Sequence, residues 1–290
     1  MSLPATAWPA AASCRSSQVL DQPTRPATVL AAFPAALYLD VDGSLLPVVT
    51  PDGLRPPTAL VLGGCLPPSG WGVGPGDTVD VGAGRVRLPG AVVVAVRTWQ
   101  PQGVAPAPGP VRVPAGFDRG SETWRLAAAD LAGLMLDGVD PAPAVGALVG
   151  AGQGLTPGGD DVLCGVLLGL RLAGHLDAVA RLWAAVRGRL GCTTTLSAAL
   201  LTEAADGYAV PQVVRLASAL ARGDSAAAVG AAGAVAAVGH SSGRDLLAGL
   251  VGALEACALE AGALEACALE AGALEACAPA AGAPSLREAS

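Results

Sequence analysis

The chain has 290 residues, 52% of them hydrophobic, 14% charged and only 3% aromatic, with a formal net charge of −7. This is enough apolar material for a sizeable core of Leu, Val and Ala, and it excludes wholesale disorder. Lysine, isoleucine and asparagine are absent, which excludes a Schiff-base lysine, a Walker-type phosphate loop and an Asn-linked glycosylation acceptor. All 17 side-chain cations are arginines scattered from Arg15 to Arg287. No run of them tracks a phosphate backbone and base-stacking aromatics are scarce, so nucleic acid is not expected as a partner.

Met1–Cys14 carries Pro4 and Pro9 and no basic start, so no signal peptide is expected there. Of seven cysteines, Cys257, Cys267 and Cys277 fall in a tandem repeat, while Cys14, Cys65, Cys164 and Cys192 are too far apart for a metal knuckle. No metal site is expected, and reduced thiols in a cytoplasmic protein are. The apolar stretch Ala226–Gly239 is too short to span a bilayer, and no membrane association is expected.

In chain order, residues 1–27 read as a disordered leader. Residues 28–101 read as a β domain, with strands expected over Ala36–Asp40, Ser44–Thr50, Ala59–Leu62, Thr78–Val81 and Ala91–Trp99 between turns such as Pro51-Asp52-Gly53. Residues 102–119 form a Pro/Gly-rich link. From 120 to 253 apolar spacing turns helical, predicting helices over Asp160–Leu172, Asp177–Leu190, Thr195–Asp206, Pro211–Ala221 and Ser225–Val238, with a sixth starting near Gly243. The expected fold class is α+β: a small, mainly antiparallel N-terminal β domain followed by an all-helical C-terminal domain. Residues 254–290 are a low-complexity helical repeat and tail. Leucines every five residues (Leu254, Leu259, Leu264, Leu269, Leu274) step by about 140° around a helix, so no continuous apolar stripe is expected.

Asp40-Val41-Asp42-Gly43 after an apolar run has two readings. Asp-Gly between apolar segments is a strong hairpin signal. The segment also resembles the first motif of haloacid-dehalogenase-type phosphatases, where two aspartates act as nucleophile and acid/base. That reading needs a downstream lysine and strand–helix alternation, and the chain offers neither.

Three polar clusters open predicted helices. Gly152-Gln153-Gly154-Leu155-Thr156-Pro157-Gly158-Gly159-Asp160-Asp161 has the glycines to turn backbone N–H groups toward an anion. Thr193-Thr194-Thr195-Leu196-Ser197 offers hydroxyls at a helix start, and Gly239-His240-Ser241-Ser242-Gly243-Arg244-Asp245 holds one of two histidines beside an arginine. Ordinary capping accounts for part of each, for example a capping box of Ser242 with Asp245. His175, late in an apolar helix, reads as a surface or helix-terminal residue.

Taken together, Gly154-Leu155-Thr156-Pro157, Gly159-Asp160-Asp161, Thr194-Thr195 with Ser197, Gly239-His240, Ser242-Gly243 and Asp245 resemble the AllH-like family, which includes the third subunit of bacterial oxamate carbamoyltransferase. The likeness spans roughly residues 28–253 and is strongest from 147; in the β half it rests on Val29–Phe33 and Trp99-Gln100-Pro101. Gly158 stands where the family usually has serine, and Gln153 where it usually has proline. The resemblance implies a subunit that acts within a multi-subunit complex, moving a carbamoyl group between oxalurate and phosphate in allantoin and purine breakdown. The alternative is a non-catalytic subunit that binds a small anion or serves as a scaffold. No cofactor is specified. The residues expected to carry chemistry are His240, Asp160 and Asp161. Those expected to contact a small anionic substrate are Gly154, Thr156, Gly159, Thr194, Thr195, Ser197, Ser242, Gly243, Arg244 and Asp245. Of the two adjacent aspartates, one is expected to hold the glycine-rich loop and the other to face the ligand, because neighbours on a helix point about 100° apart.

Overall fold

The computed structural model describes residues 6–67 and 70–276, with side chains as far as residue 263. Its fold is α+β: eight strands, then helices. The strands are β1 (Thr6–Ser13), β2 (Arg25–Phe33), β3 (Ala36–Val41), β4 (Ser44–Val49), β5 (Leu60–Leu62), β6 (Thr78–Gly82), β7 (Arg85–Leu88) and β8 (Ala91–Trp99). They close into a barrel in the order β1-β5-β4-β3-β2-β6-β7-β8. The pairs β1–β8 and β4–β5 are parallel and the rest antiparallel, so the sheet is a closed, mixed barrel, where a mainly antiparallel domain was expected.

The expected disordered leader is corrected by β1, which lies between β5 and β8 and completes the closure. Its Ala- and Pro-rich sequence carries little β-propensity of its own, and it is held by neighbours on both sides. Alternation sets the barrel interior: Leu37, Leu39 and Val41 of β3 and Leu46 and Val48 of β4 point inward. The β3–β4 link is a two-residue hairpin with Asp42 and Gly43 both left-handed (φ 52° and 79°), the backbone an Asp-Gly hairpin requires. The mixed barrel lacks the doubly wound parallel sheet that the phosphatase reading needs.

A bulge in β2 decides what faces the helices. Val29 pairs with Leu39 but Ala31 with Tyr38, so one extra residue shifts the alternation. Ala27 and Val29 point into the barrel, whereas Ala31 points out beside Tyr38, and Phe33 is turned to the same outer face. This outer patch packs on Leu196, Ala199 and Leu200.

Helix α1 (Ser17–Leu20) is a single turn near the barrel start. The helical half comprises α2 (Glu122–Leu136), α3 (Ala142–Leu148), α4 (Gly158–Leu172), α5 (Leu176–Arg187), α6 (Thr195–Ala205), α7 (Pro211–Ala221), α8 (Ser225–Ala236) and α9 (Ser242–Ala276). α4 is its centre, with every residue buried except Gly158 and Arg171. Glycines bring α4 and α9 close. A Cβ on Gly165 would lie 2.2 Å from the Leu246 carbonyl, and one on Gly249 would lie 2.1 Å from that of Val162. The Pro/Gly-rich segment 102–119 lies along the helices: Val104 N–H donates to Gly207 O and Ala107 N–H to Leu172 O, and Phe117 is buried in the helical core.

Ser242–Ala263 has the length and apolar composition to cross a membrane, yet Leu247, Leu250, Val251 and Leu254 are spent on the core. The first pentad also packs, contrary to expectation. Cys257 is buried, and Glu255 is paired with Arg119 at 2.6 Å and with Arg125. The side chains of Leu264, Cys267, Leu269 and Leu274, and Cys277 altogether, lie outside the described residues.

Candidate functional site

A cavity of about 650 Å³ lies between the outer face of the barrel and the helices. Phe33, Tyr38 and the β4–β5 connection (Leu54, Pro56, Pro57) form the barrel wall; Leu196, Leu200, Val210, Val213, Val235 and Leu246 form much of the helical wall. The glycine-rich loop and the start of α9 supply its polar side: Gln153, Gly154, Thr156, Asp161, His240, Ser242 and Gly243 all line it.

Hydroxyl contacts tie the motif loops together. Thr156 and Ser242 share a hydrogen bond of 2.6 Å between their Oγ atoms, joining the loop before α4 to the first turn of α9. The Thr194 hydroxyl donates to the Leu155 carbonyl at 2.6 Å, joining the threonine run to the same loop. Thr194 also caps α6 by accepting from Ser197 N–H. The Thr195 hydroxyl donates to Asp40 Oδ2 at 3.1 Å, fastening α6 to β3. Asp40 is a clamp between the two halves, and its other oxygen accepts Gly43 N–H in the hairpin.

The two adjacent aspartates occupy different surroundings. Asp160 accepts Gly150 N–H at 2.9 Å through Oδ1 and the Thr193 hydroxyl through Oδ2, so it anchors the loop and does not line the cavity. Asp161 is 5% exposed and lines the cavity, and its Oδ2 is buried without a hydrogen-bond partner. Burial pushes its carboxyl up to about 8, with Asp245 and Asp160 adding repulsion and the nearby Ser242 and Thr156 hydroxyls partly offsetting it.

The remaining expected contact residues divide the same way. Gly159 packs its α-carbon against the Leu148 carbonyl, where a Cβ would lie 2.1 Å away. Ser197 is buried at the start of α6, outside the cavity lining, with its hydroxyl unpaired. Asp245 is buried against the start of α4, where a Cβ on Gly158 would come 3.0 Å from its Oδ2. A serine at 158 would therefore press on Asp245. Arg244 requires a correction: it is exposed and does not line the cavity. Gly243 and Leu246, three residues apart, share the cavity face, and Arg244 is rotated about 100° from Gly243. His240 lines the cavity and is exposed, as are Gly154 and Leu155 on the same side. His175 stands at the start of α5, not the end of a helix.

Sequence reasoning missed Glu203, Arg15 and Tyr208. Glu203 is 7% exposed in the cavity wall and bonded to Arg15 Nε; Arg15 also pairs with Asp206 and stacks over Tyr208 at 4.3 Å. Burial raises the Glu203 carboxyl and Arg15 pulls it back in part. A lone acid inside the apolar run of α6 was the available signal, but its partner sits in the segment read as disordered. Among the described residues, no group of three His, Cys, Asp or Glu side chains is placed to hold a metal ion.

No curated protein and no solved structure matches the chain. Residues 148–254, which carry all three motif loops and the helical wall of the cavity, match the family model described as oxamate carbamoyltransferase subunit AllH, so the resemblance carried by those motifs holds across that segment.

Proposed function

We propose that the chain serves as a subunit of an oxamate carbamoyltransferase-type complex and that its cavity receives the ureido compound, oxalurate, from which a carbamoyl group passes to phosphate. The observation that carries this reading is Asp161 Oδ2: a buried carboxyl oxygen, without a partner, in a cavity bounded by two of the three family motifs. A ureido group has N–H donors to give it, and an unpaired buried acceptor favours a ligand that supplies one. His240, on the exposed side, donates to a carboxylate or phosphate oxygen. The starts of α4 and α9 bound the polar side of the cavity, with the Gly243 N–H already given to the Val238 carbonyl. Thr156 and Ser242 fix the mutual position of those starts, while Asp160, Gly159, Thr194, Thr195, Ser197 and Asp245 hold the frame.

The test is oxalurate phosphorolysis by the complex assembled with its partner subunits. Asp161→Leu, which removes the acceptor altogether, and His240→Ala should lower the rate at least tenfold while the complex still assembles. Wild-type rates in both variants would leave a scaffold role for this subunit.

A further inference from the structure

The cavity's polar groups gather at the glycine-rich loop and the start of α9, with Glu203 and Tyr208 added from the α6 side. Its second buried acid, Glu203, is already bonded to Arg15, so the lining carboxyl left with an unpartnered oxygen is that of Asp161. No arginine is among the lining residues, and the one lining side chain able to become a cation is His240. The rest of the wall is apolar and comes from both halves of the chain, with Phe33 and Tyr38 facing Leu196 and Leu200. A volume of about 650 Å³ falls within the range of cavities that enclose drug-sized ligands. Oxalurate, with nine heavy atoms, leaves most of that apolar wall without a partner.

We infer that the cavity's own ligand class is a ureido or primary-amide compound with an apolar body, its N–H end at Asp161 and its body, of aromatic or branched-aliphatic size, against Phe33, Tyr38, Leu196 and Leu200. This rests on the reading that a ureido group meets Asp161, and adds that selectivity comes from the barrel wall. The β2 bulge is then a specificity device, since it is what turns Phe33 outward.

The test is calorimetric titration of the full-length chain with two neutral ureas, methylurea and benzylurea, and with oxalurate. Burying one phenyl ring predicts benzylurea at least tenfold tighter than methylurea. Asp161→Leu should weaken both ureas, whereas Leu200→Trp, which fills the apolar end, should remove the benzylurea advantage and spare methylurea. Leu54→Trp fills the same space from the barrel side and serves if Leu200→Trp does not fold. If methylurea or oxalurate binds in an Asp161-dependent way but benzylurea gains nothing, the apolar-body inference is overturned and the ureido reading stands. If no ureido compound binds in an Asp161-dependent way, both fall.

Discussion

Replacing Asp161 by asparagine keeps the shape of the side chain and removes its ability to ionise, so it isolates one proton. In the folded chain burial raises this carboxyl from 3.8 to about 8. Below about pH 4 the folded and unfolded chains both hold the proton, and the group adds no pH dependence. Between about pH 4 and pH 8 the folded chain keeps a proton that the unfolded chain has released, so stability falls as pH rises, by about 1.4 kcal/mol per unit. Above pH 8 both states are ionised and the penalty is constant, on the order of 5 kcal/mol in full. Asparagine escapes this penalty. Its stability relative to wild type should therefore climb steadily from pH 5 to pH 8 and level off by pH 9. Glu203, which is not among the groups that act on Asp161, titrates in both proteins and cancels in the difference. Urea unfolding followed by helical circular dichroism at each pH measures it. A difference that stays constant from pH 5 to pH 8 would mean that Asp161 titrates as an ordinary solvated carboxylate, and the buried acceptor at the centre of the site would be lost.

The neighbouring substitution should behave oppositely. Asp160→Asn turns an amide N–H toward either Gly150 N–H or the Thr193 hydroxyl, costing about 1–3 kcal/mol and speeding hydrogen exchange at Gly150. Gly249→Ala places a Cβ 2.1 Å from the Val162 carbonyl and should cost about 3 kcal/mol. By contrast Gly133→Ala, with nothing within 4 Å, should gain about 0.5–1 kcal/mol in the same thermal melts. A chain ending at Leu254 should be about 2 kcal/mol less stable than one ending at Ala263, because it lacks the Glu255 pairs with Arg119 and Arg125 and the burial of Cys257; equal melting temperatures would show that packing of α9 ends at residue 254.

What could be read from the sequence follows from where its physics is local. Ala91–Trp99 and Pro211–Ala221 were legible to the residue, because apolar periodicity and a proline at a helix start are carried by the segment itself. The Asp42-Gly43 hairpin was legible for the same reason. The strand Thr6–Ser13 was not, since Trp-Pro-Ala-Ala-Ala has little strand signal until β5 and β8 flank it. Helix α2 was missed because nothing was assigned between residue 120 and the glycine-rich loop, although Leu131, Ala132 and Met135 carry a core-facing pattern. The different surroundings of Asp160 and Asp161 followed from helix geometry alone. Which one faced inward did not, because that depends on where Gly150 and Thr193 come to rest.

The division of the cavity explains why the three motifs alone understate the site. Gly154, Thr156, Asp161, His240 and Ser242 belong to residues 148–254, the segment that matches the AllH family model. Phe33, Tyr38, Leu54, Pro56 and Pro57 do not, yet they form the opposite wall. None of these five has chemistry that a sequence would flag; they reach the cavity only because a bulge inverts β2, Tyr38 falls on the outer face of β3, and the β4–β5 connection lies beside them. Asp40 and Thr195 then hold that wall to α6 with one hydrogen bond across the two halves. Polar chemistry is thus concentrated in one segment of the chain and the shape around it in another, so a change in the barrel face can alter what the site accepts without touching Asp161 or His240.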